Sequence, residues 1–195
     1  NAATRMLVQR SVYDQAVEIA AAQANATKVD LPSNSGNHIG PLVSEAQFDK
    51  VQSMIQTGID EGARLVAGGV GRPEGMNRGW FVKPTVFADA TADMTIIREE
   101  IFGPVLALMP FDSEEEAIAL ANDTPYGLAA YIQTGDKERA RRVAARLRAG
   151  MIQVNGASRA AGSPFGGYKQ SGVGREGGFW GIEEFLEIKT ISGIV

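Results

Sequence analysis

The sequence predicts an α/β fold built around a mostly parallel sheet. Three observations lead to this prediction: strand-like apolar runs alternate with stretches of helical periodicity, helix-start patterns precede some of those stretches, and glycine- and proline-rich segments separate the elements. With 195 residues, the chain is long enough to bury a substantial core.

Seven apolar runs have the length and composition of strands, because apolar residues dominate short stretches bounded by turn residues. In chain order they cover residues 4–10, 64–67, 81–87, 105–111, 128–134, 151–154 and 185–194. Since helical stretches separate many of them, we expect most strands to pair in parallel.

Four stretches carry apolar residues at helical spacing, and they cover residues 12–24, 44–59, 113–121 and 136–149. The second begins at Ser44 and the third at Ser113, each followed three residues later by Gln47 or Glu116 in the spacing of a capping box. Gly150 suits the position just after the fourth helix, where a left-handed residue often ends the last turn.

Composition and charge exclude several classes of protein. A net charge of −4 lacks the basic face that nucleic-acid binding needs, and no apolar run approaches the ~20 residues of a membrane span. The absence of cysteine, with His38 as the single histidine, excludes disulfides, a thiol nucleophile and a metal cluster in this chain. No basic stretch followed by an apolar run opens the sequence, so we expect a cytoplasmic protein.

The motif EEIFGPV at residues 99–105 places two acids just before a predicted strand. A carboxylate at a strand end in an α/β fold is well placed to accept hydrogen bonds from a ribose, and Phe102 could pack on a flat ring. The alternative interpretation is a solvated acidic turn next to a core phenylalanine.

A long glycine-rich segment covers residues 155–178 and contains PFGGYKQSGVGRE at 164–176. Such a loop can wrap closely around a ligand and present an aromatic wall, although a flexible surface loop is the alternative. Its length favours a functional segment, and its glycine spacing fits neither the Walker loop nor the Rossmann fingerprint.

Six blocks in this order resemble the NAD(P)-dependent aldehyde dehydrogenase superfamily. They are NAATR at 1–5, GPLV with QFDK at 40–50, EEIFGPV at 99–105, NDTPYGL at 122–128, GMIQVN at 150–155 and PFGGYKQSGVGRE at 164–176. Each block is moderately specific, whereas six blocks in order over the whole chain are highly specific.

The resemblance implies the three-layer α/β catalytic domain of that family, with its C-terminal catalytic part at residues 1–180 and an oligomerisation strand at 181–195. It also implies a homodimer or homotetramer, since an exposed strand edge needs a partner. The remainder of the same protein, including a Rossmann domain, would supply most of the dinucleotide site.

The resemblance further implies oxidation of an aldehyde to a carboxylic acid with NAD or NADP. In that family a cysteine thiolate forms a thiohemiacetal with the aldehyde, hydride is transferred to the nicotinamide, and a glutamate activates water to hydrolyse the thioester. The family's cysteine would precede Asn1, so we expect this chain to be inactive by itself.

Family roles carry over to individual residues of this sequence. Glu100 would bind the hydroxyls of the nicotinamide ribose, Phe102 would contact the nicotinamide, and Gln47 and Lys50 would help to hold the cofactor's ribose region. Phe165 would line the aldehyde tunnel, and Glu176 would assist a proton relay. Arg175 and Glu187 would form an ion pair at the subunit interface. For Gln47 the capping box is an equally weighted alternative. No metal is implied.

Two other functions stay open at this point. One is a non-catalytic interaction module that reuses the same fold after losing its nucleophile. The other is a relative that makes acyl-CoA or reduces an acyl phosphate, which the EEIFGPV and PFGG blocks fit less well.

Overall fold

The computed structural model describes residues 3–193. The chain divides into two compact units, one ending at Ala117 and the other beginning at Ile118. The predicted catalytic region at 1–180 and tail at 181–195 stay a prediction.

The first unit contains four strands and three helices. In chain order they are β1 (Arg5–Gln9), α1 (Tyr13–Ala26), α2 (Glu45–Asp60), β2 (Arg64–Ala67), β3 (Thr85–Ala88), α3 (Thr95–Arg98) and β4 (Val105–Phe111). A short 3₁₀ helix at Arg10–Val12 joins β1 to α1.

The four strands form one sheet in the order β1-β4-β3-β2. Arg5 lies opposite Ala107 and Thr85 opposite Val105 in two parallel pairs, whereas β2 joins the edge antiparallel to β3. The predicted mostly parallel sheet is therefore confirmed for this unit.

Successive side chains of a strand point to opposite faces of the sheet, so apolar strands need cover on both faces. Helices cover both faces of this sheet. On one face, α1 buries Tyr13 and Val17 against Val86 and Leu108. On the other face, fully buried Phe87 lies beside Gly58 of α2. The unit therefore has the three layers that the resemblance implies.

Gly58 allows α2 to lie close to the sheet and to α3. A Cβ atom at this position would be 3.0 Å from Ile96 Cγ2 and 3.1 Å from Phe87 Cζ, tighter than ordinary side-chain contacts. The helix axis is thus held near the strands by the absence of a side chain.

A polar cluster closes the end of β3. The Tyr13 hydroxyl donates to the Leu108 carbonyl at 3.2 Å and accepts from the Asp89 N–H at 2.6 Å. Asp89 has a left-handed backbone, with φ of 57°, and its carboxylate pairs with Arg64 Nε at 2.6 Å. The hydrogen bond from Arg64 lowers the pKa of Asp89, while burial raises the pKa of Tyr13.

The boundary between the two units falls within α4 (Glu114–Asn122). The second unit continues with β5 (Ala129–Ile132), α5 (Lys137–Arg146), β6 (Met151–Val154) and α6 (Gly178–Glu183). β5 and β6 pair in parallel, with Ala129 opposite Met151. The Asp136 carboxylate accepts from two backbone N–H groups at the start of α5, and these hydrogen bonds lower its pKa.

Two predicted boundaries are wrong. The helix predicted at residues 136–149, which is α5, ends at Arg146, so Gly150 is not its capping glycine. The Asn122 side-chain amide donates to the Arg146 carbonyl at 3.0 Å and ends the helix there. The strand predicted from residue 81 begins only at Thr85, directly after Pro84, which has no N–H for a strand ladder.

The predicted terminal strand is not formed within residues 3–193, and its pairing with another subunit stays a prediction. After α6, residues 186–193 have no regular structure, and Phe185 and Ile188 are 88% and 97% exposed. A strand requires a neighbour for its hydrogen bonds, and no described strand pairs with these residues. Ile194 and Val195, like Asn1 and Ala2, lie outside the described residues.

Among the helices at residues 3–193, none has both the length and the apolar character needed to cross a membrane.

Phe87→Ala should lower the free energy of unfolding by about 3–5 kcal/mol, because it removes a fully buried ring between the sheet and α2. Chemical denaturation followed by circular dichroism measures this loss. The matched control is Phe179→Ala, whose ring is 66% exposed and should change stability little. Equal losses in both variants would contradict the predicted packing.

Asp89→Asn should destabilise the chain at neutral pH and have a smaller effect in acid. Because the folded-state pKa of Asp89 lies below its ordinary value, the carboxylate adds stability at pH values above that ordinary value, and this stability is lost as the pH falls through the lowered pKa. Thermal unfolding at several pH values tests the trend. Glu74→Gln, which alters an exposed turn residue, should show no such trend, and a pH-independent effect of Asp89→Asn would refute the argument.

Candidate functional site

The first group of candidate residues lies where α3 leads into β4. α3 ends at Arg98, and Glu99 caps it by donating its N–H to the Thr95 carbonyl at 2.9 Å. The chain then runs through Glu100 and Phe102 before β4 begins at Val105. The EEIFGPV motif is therefore the connection between a short helix and a buried strand.

Glu61 fixes the start of this connection. Its carboxylate accepts from the Thr95 N–H at 2.7 Å and from the Thr95 hydroxyl at 2.5 Å, so it caps α3 from the end of α2. Sequence reasoning missed this contact, because 34 residues separate the two partners and neither belongs to a recognised motif.

Phe102 has a strained backbone and an exposed ring. Its φ is 60°, a left-handed conformation that costs a bulky residue roughly 1–2 kcal/mol. The residue is 68% exposed, whereas its neighbour Ile101 is 3% exposed. The predicted core phenylalanine of the alternative interpretation is thus ruled out, because the buried residue is Ile101.

Gln47 takes part in only half of the predicted capping box. Its backbone N–H donates to Ser44 Oγ at 3.2 Å, which confirms the serine cap of α2. Its side-chain amide instead donates to the carbonyls of Ile101 and Phe102, at 2.9 and 3.0 Å. The Lys50 ammonium donates to the Glu100 carbonyl at 2.7 Å.

Gly103 allows the connection to lie directly on α2. A Cβ atom there would be 2.7 Å from Cγ2 of the fully buried Val51, a distance that side chains do not adopt. The structure therefore brings Gln47 and Lys50 of α2 into contact with the segment that carries Glu100 and Phe102.

The Glu100 carboxylate is exposed and, within residues 3–193, has no hydrogen-bond or ion-pair partner. Phe102, two residues further along the same connection, exposes a flat apolar ring, so the connection carries both an acceptor for hydroxyl groups and an aromatic surface. This combination suits a nucleoside whose ribose meets the carboxylate and whose base packs on the ring.

The second group of candidate residues lies in the glycine-rich segment of the other unit. Phe165 and Glu176 form an isolated antiparallel bridge, in which each N–H donates to the other carbonyl at 2.7 Å. Phe165 is partly buried and Glu176 is exposed, so the bridge holds the two predicted residues side by side. The Arg159 guanidinium lies 5.6 Å from the Phe165 ring centroid.

Glycines allow this segment to contact the strands closely. A Cβ atom on Gly150 would lie 2.0 Å from the Gly166 carbonyl oxygen, so β6 can begin beside the loop only with glycine there. The Gly127 N–H donates to Ser171 Oγ at 3.1 Å, and the Tyr168 N–H donates to the Gly127 carbonyl at 2.8 Å. The NDTPYGL, GMIQVN and PFGG blocks are thus in contact with one another.

Lys169 ties the same loop to the end of α4. Its ammonium donates to the carbonyls of Asn122 and Thr124 at 2.8 and 2.9 Å, where a positive charge stabilises a helix C-terminus. Its own φ is 55°. These contacts show a structural role for Lys169.

Arg175 is occupied by contacts within its own loop. Its Nη1 atom donates to the carbonyls of Gly167, Val173 and Gly174 at 2.8, 3.1 and 2.9 Å. Among the described residues it forms no ion pair with the exposed Glu187, so the predicted pair is not present within the chain. A pair between subunits stays a prediction.

In the described part of the chain, no three histidine, aspartate or glutamate side chains are grouped closely enough to hold a metal ion.

Comparisons with known proteins agree with these motifs. The aldehyde dehydrogenase family pattern matches residues 1–191. A 3-succinoylsemialdehyde-pyridine dehydrogenase from a Pseudomonas species is 50% identical over 193 residues, covering 99% of this chain and 40% of the relative.

Solved structures show the same similarity. An aldehyde dehydrogenase from Bartonella henselae superposes with a TM-score of 0.94 at 58% identity, covering 96% of this chain and 39% of that one. A cysteine-to-alanine mutant of AldC from Pseudomonas syringae, in complex with NAD+ and octanal, gives 0.93 at 49% identity, with the same coverage.

The chain spans about 40% of the length of these relatives. The comparisons do not place it at the C-terminal end of those proteins, so the expectation that it is their C-terminal segment is not upheld. The match over residues 1–191, together with identities of 49–58% in solved structures, shows that the chain belongs to the aldehyde dehydrogenase family.

Proposed function

We propose that the protein containing this chain oxidises an aldehyde to a carboxylic acid with NAD+ or NADP+. Family membership supports the reaction class, and the observation that carries the proposal is that one connection exposes both the partner-free Glu100 carboxylate and the Phe102 ring. The relative solved with NAD+ and octanal binds a cofactor and an aldehyde of the proposed kinds.

Glu100 is proposed to accept hydrogen bonds from the hydroxyls of the nicotinamide ribose. Its side chain is exposed, and no cation in residues 3–193 pairs with it, so both oxygens are available. Phe102 is proposed to pack against the nicotinamide, which orients the ring for the reaction. When bound, NAD(P)+ supplies the hydride acceptor.

Phe165 is proposed to line the aldehyde channel, and Glu176 to relay a proton in the hydrolysis step. The antiparallel bridge between them supports both roles, because it holds the backbones of the two residues directly opposite each other. Arg175 would act indirectly, by holding the loop carbonyls around that bridge.

The nucleophile is proposed to be a cysteine in the part of the protein outside these 195 residues, since the chain has none. Its thiolate would attack the aldehyde carbonyl to form a thiohemiacetal, and loss of hydride would leave a thioester that water hydrolyses. A glutamate from that same part would act as the general base. A homodimer or homotetramer remains part of the proposal.

Glu100→Ala in the full-length enzyme should raise the Kd for NAD+ by about ten- to a hundredfold, because a charge-assisted hydrogen bond to the ribose is lost. Fluorescence titration without aldehyde measures this Kd. Glu99→Ala is the matched control, since it removes the same charge from the adjacent exposed position. An unchanged Kd in Glu100→Ala would refute the cofactor role.

The pure 195-residue chain should form no NADH from NAD+ and an aldehyde, because it contains no thiol. Absorbance at the NADH band measures the rate, and the full-length enzyme serves as the positive control. Aldehyde-dependent NADH formation by the chain alone would contradict the proposed cysteine mechanism. A full-length protein without any cysteine would instead favour the interaction module.

A further inference from the structure

The loop between β6 and Phe165 is held at both ends. Where it leaves β6, the Asn155 side-chain amide accepts from the Thr134 N–H and donates to the Thr134 carbonyl, each at 2.9 Å. Where it returns, the antiparallel bridge at Phe165 fixes it. A Cβ atom on Gly178 would lie 2.3 Å from the Gly162 carbonyl oxygen, so the loop also lies directly against the start of α6. The loop therefore follows a defined path.

Arg159 is the single charged residue in this loop. The other side chains between Asn155 and Pro164 belong to glycine, alanine and serine, so no other long side chain of the loop competes for the space around the guanidinium. The guanidinium lies 5.6 Å from the centroid of the Phe165 ring, whose negative face attracts a cation. The ring thereby holds the charge on the side of the loop where Phe165 lies.

The Arg159 guanidinium has no carboxylate partner among the described residues. It is exposed and, within residues 3–193, forms no hydrogen bond or ion pair. Arg175 provides the contrast in the same segment, because its guanidinium already donates to three carbonyls of its own loop. The N–H groups of Arg159 are therefore available to another molecule.

A carboxylate fits this guanidinium by both charge and shape. The planar guanidinium presents its N–H groups in a fork that matches the two oxygens of a carboxylate, and such charge-assisted hydrogen bonds are stronger than neutral ones. Phe165 is proposed to line the aldehyde channel, so the free cation lies next to a wall of that channel. A substrate that carries a negative charge away from its aldehyde group gains from this cation, and an uncharged aldehyde does not.

We propose that Arg159 is a specificity-determining residue, which selects aldehydes that carry a carboxylate at the far end of the molecule. The carboxylate pairs with Arg159, the hydrocarbon part packs along Phe165, and the aldehyde group is left free for the reaction. This inference rests on the proposed oxidation of an aldehyde and on the proposed channel role of Phe165.

The test compares pairs of aldehydes on the full-length enzyme. Succinic, glutaric and adipic semialdehyde are each paired with the unsubstituted aldehyde of the same carbon number, and kcat/KM is measured from NAD(P)H formation at saturating cofactor. In the wild type, the carboxylated member of at least one pair should have the higher kcat/KM.

Arg159→Gln should lower kcat/KM for that carboxylated member about tenfold, because a charge-assisted hydrogen bond is lost. The loss should come mainly from a higher KM, since the substitution leaves the reacting atoms in place. The kcat/KM of the unsubstituted member should change by less than about twofold. Because Arg159 is exposed, its replacement leaves the packed core intact.

Further measurements separate charge from a structural role. Arg159→Lys keeps the charge without the fork and should retain kcat/KM to within about threefold of the wild type. Arg148→Gln removes another exposed arginine of the same unit, whose guanidinium has no partner in the described part of the chain, and should change neither member. Added salt should weaken the preference in the wild type but not in Arg159→Gln, since salt screens exposed charges.

The outcomes are distinct. A loss confined to the carboxylated member, with rescue by Arg159→Lys, would support the inference. A wild type that prefers the unsubstituted member of every pair, or an Arg159→Gln variant that affects both members equally or neither, would overturn it while leaving aldehyde oxidation in place. A full-length enzyme with no activity on these pairs or on aromatic and longer aldehydes would overturn the proposed function and, with it, this inference.

Discussion

The close packing of α2 against both the sheet and the EEIFGPV connection is the constraint on which the first unit depends. Toward the strands, Gly58 allows contact with Phe87, and toward the connection, Gly103 allows contact with Val51. One helix thereby sets the distance between the buried core and an exposed carboxylate. Because packed interiors deform little, the geometry of the connection follows from the position of α2.

In the second unit, close backbone contacts and two cationic side chains together hold the glycine-rich segment in place. This segment has little regular structure, yet Gly127, Gly150 and Gly166 let main chains approach to distances that any Cβ would prevent. Lys169 and Arg175 then bind the carbonyl groups that such irregular backbone leaves unpaired. The loop is ordered by hydrogen bonds, which explains why a long segment without α-helices or strands can hold Phe165 opposite Glu176.

Sequence patterns correctly predicted the features that depend on residues close together in the chain or on the order of its elements. The Ser44 cap and the placement of α1 follow from periodicity and spacing within a few residues, and the parallel pairing follows from the alternation of strands and helices along the chain. The side-chain target of Gln47 lies 54 residues away, and nothing near Gln47 in the sequence specifies it. The same reason accounts for the early end of α5, which depends on Asn122. The apolar alternation at 185–194 indicated a strand, but alternation provides no partner for one.

The left-handed backbone of Phe102 also limits how this position can diversify. Exposure alone would suggest that almost any side chain is tolerated at a residue that is 68% exposed. Valine, isoleucine and threonine are the most heavily penalised there, since β-branching adds a clash to an already unfavourable φ, while asparagine and glycine are accepted most readily. A saturation library at this surface position would therefore recover a narrow set of folded sequences, and selection for altered cofactor use would act within that set.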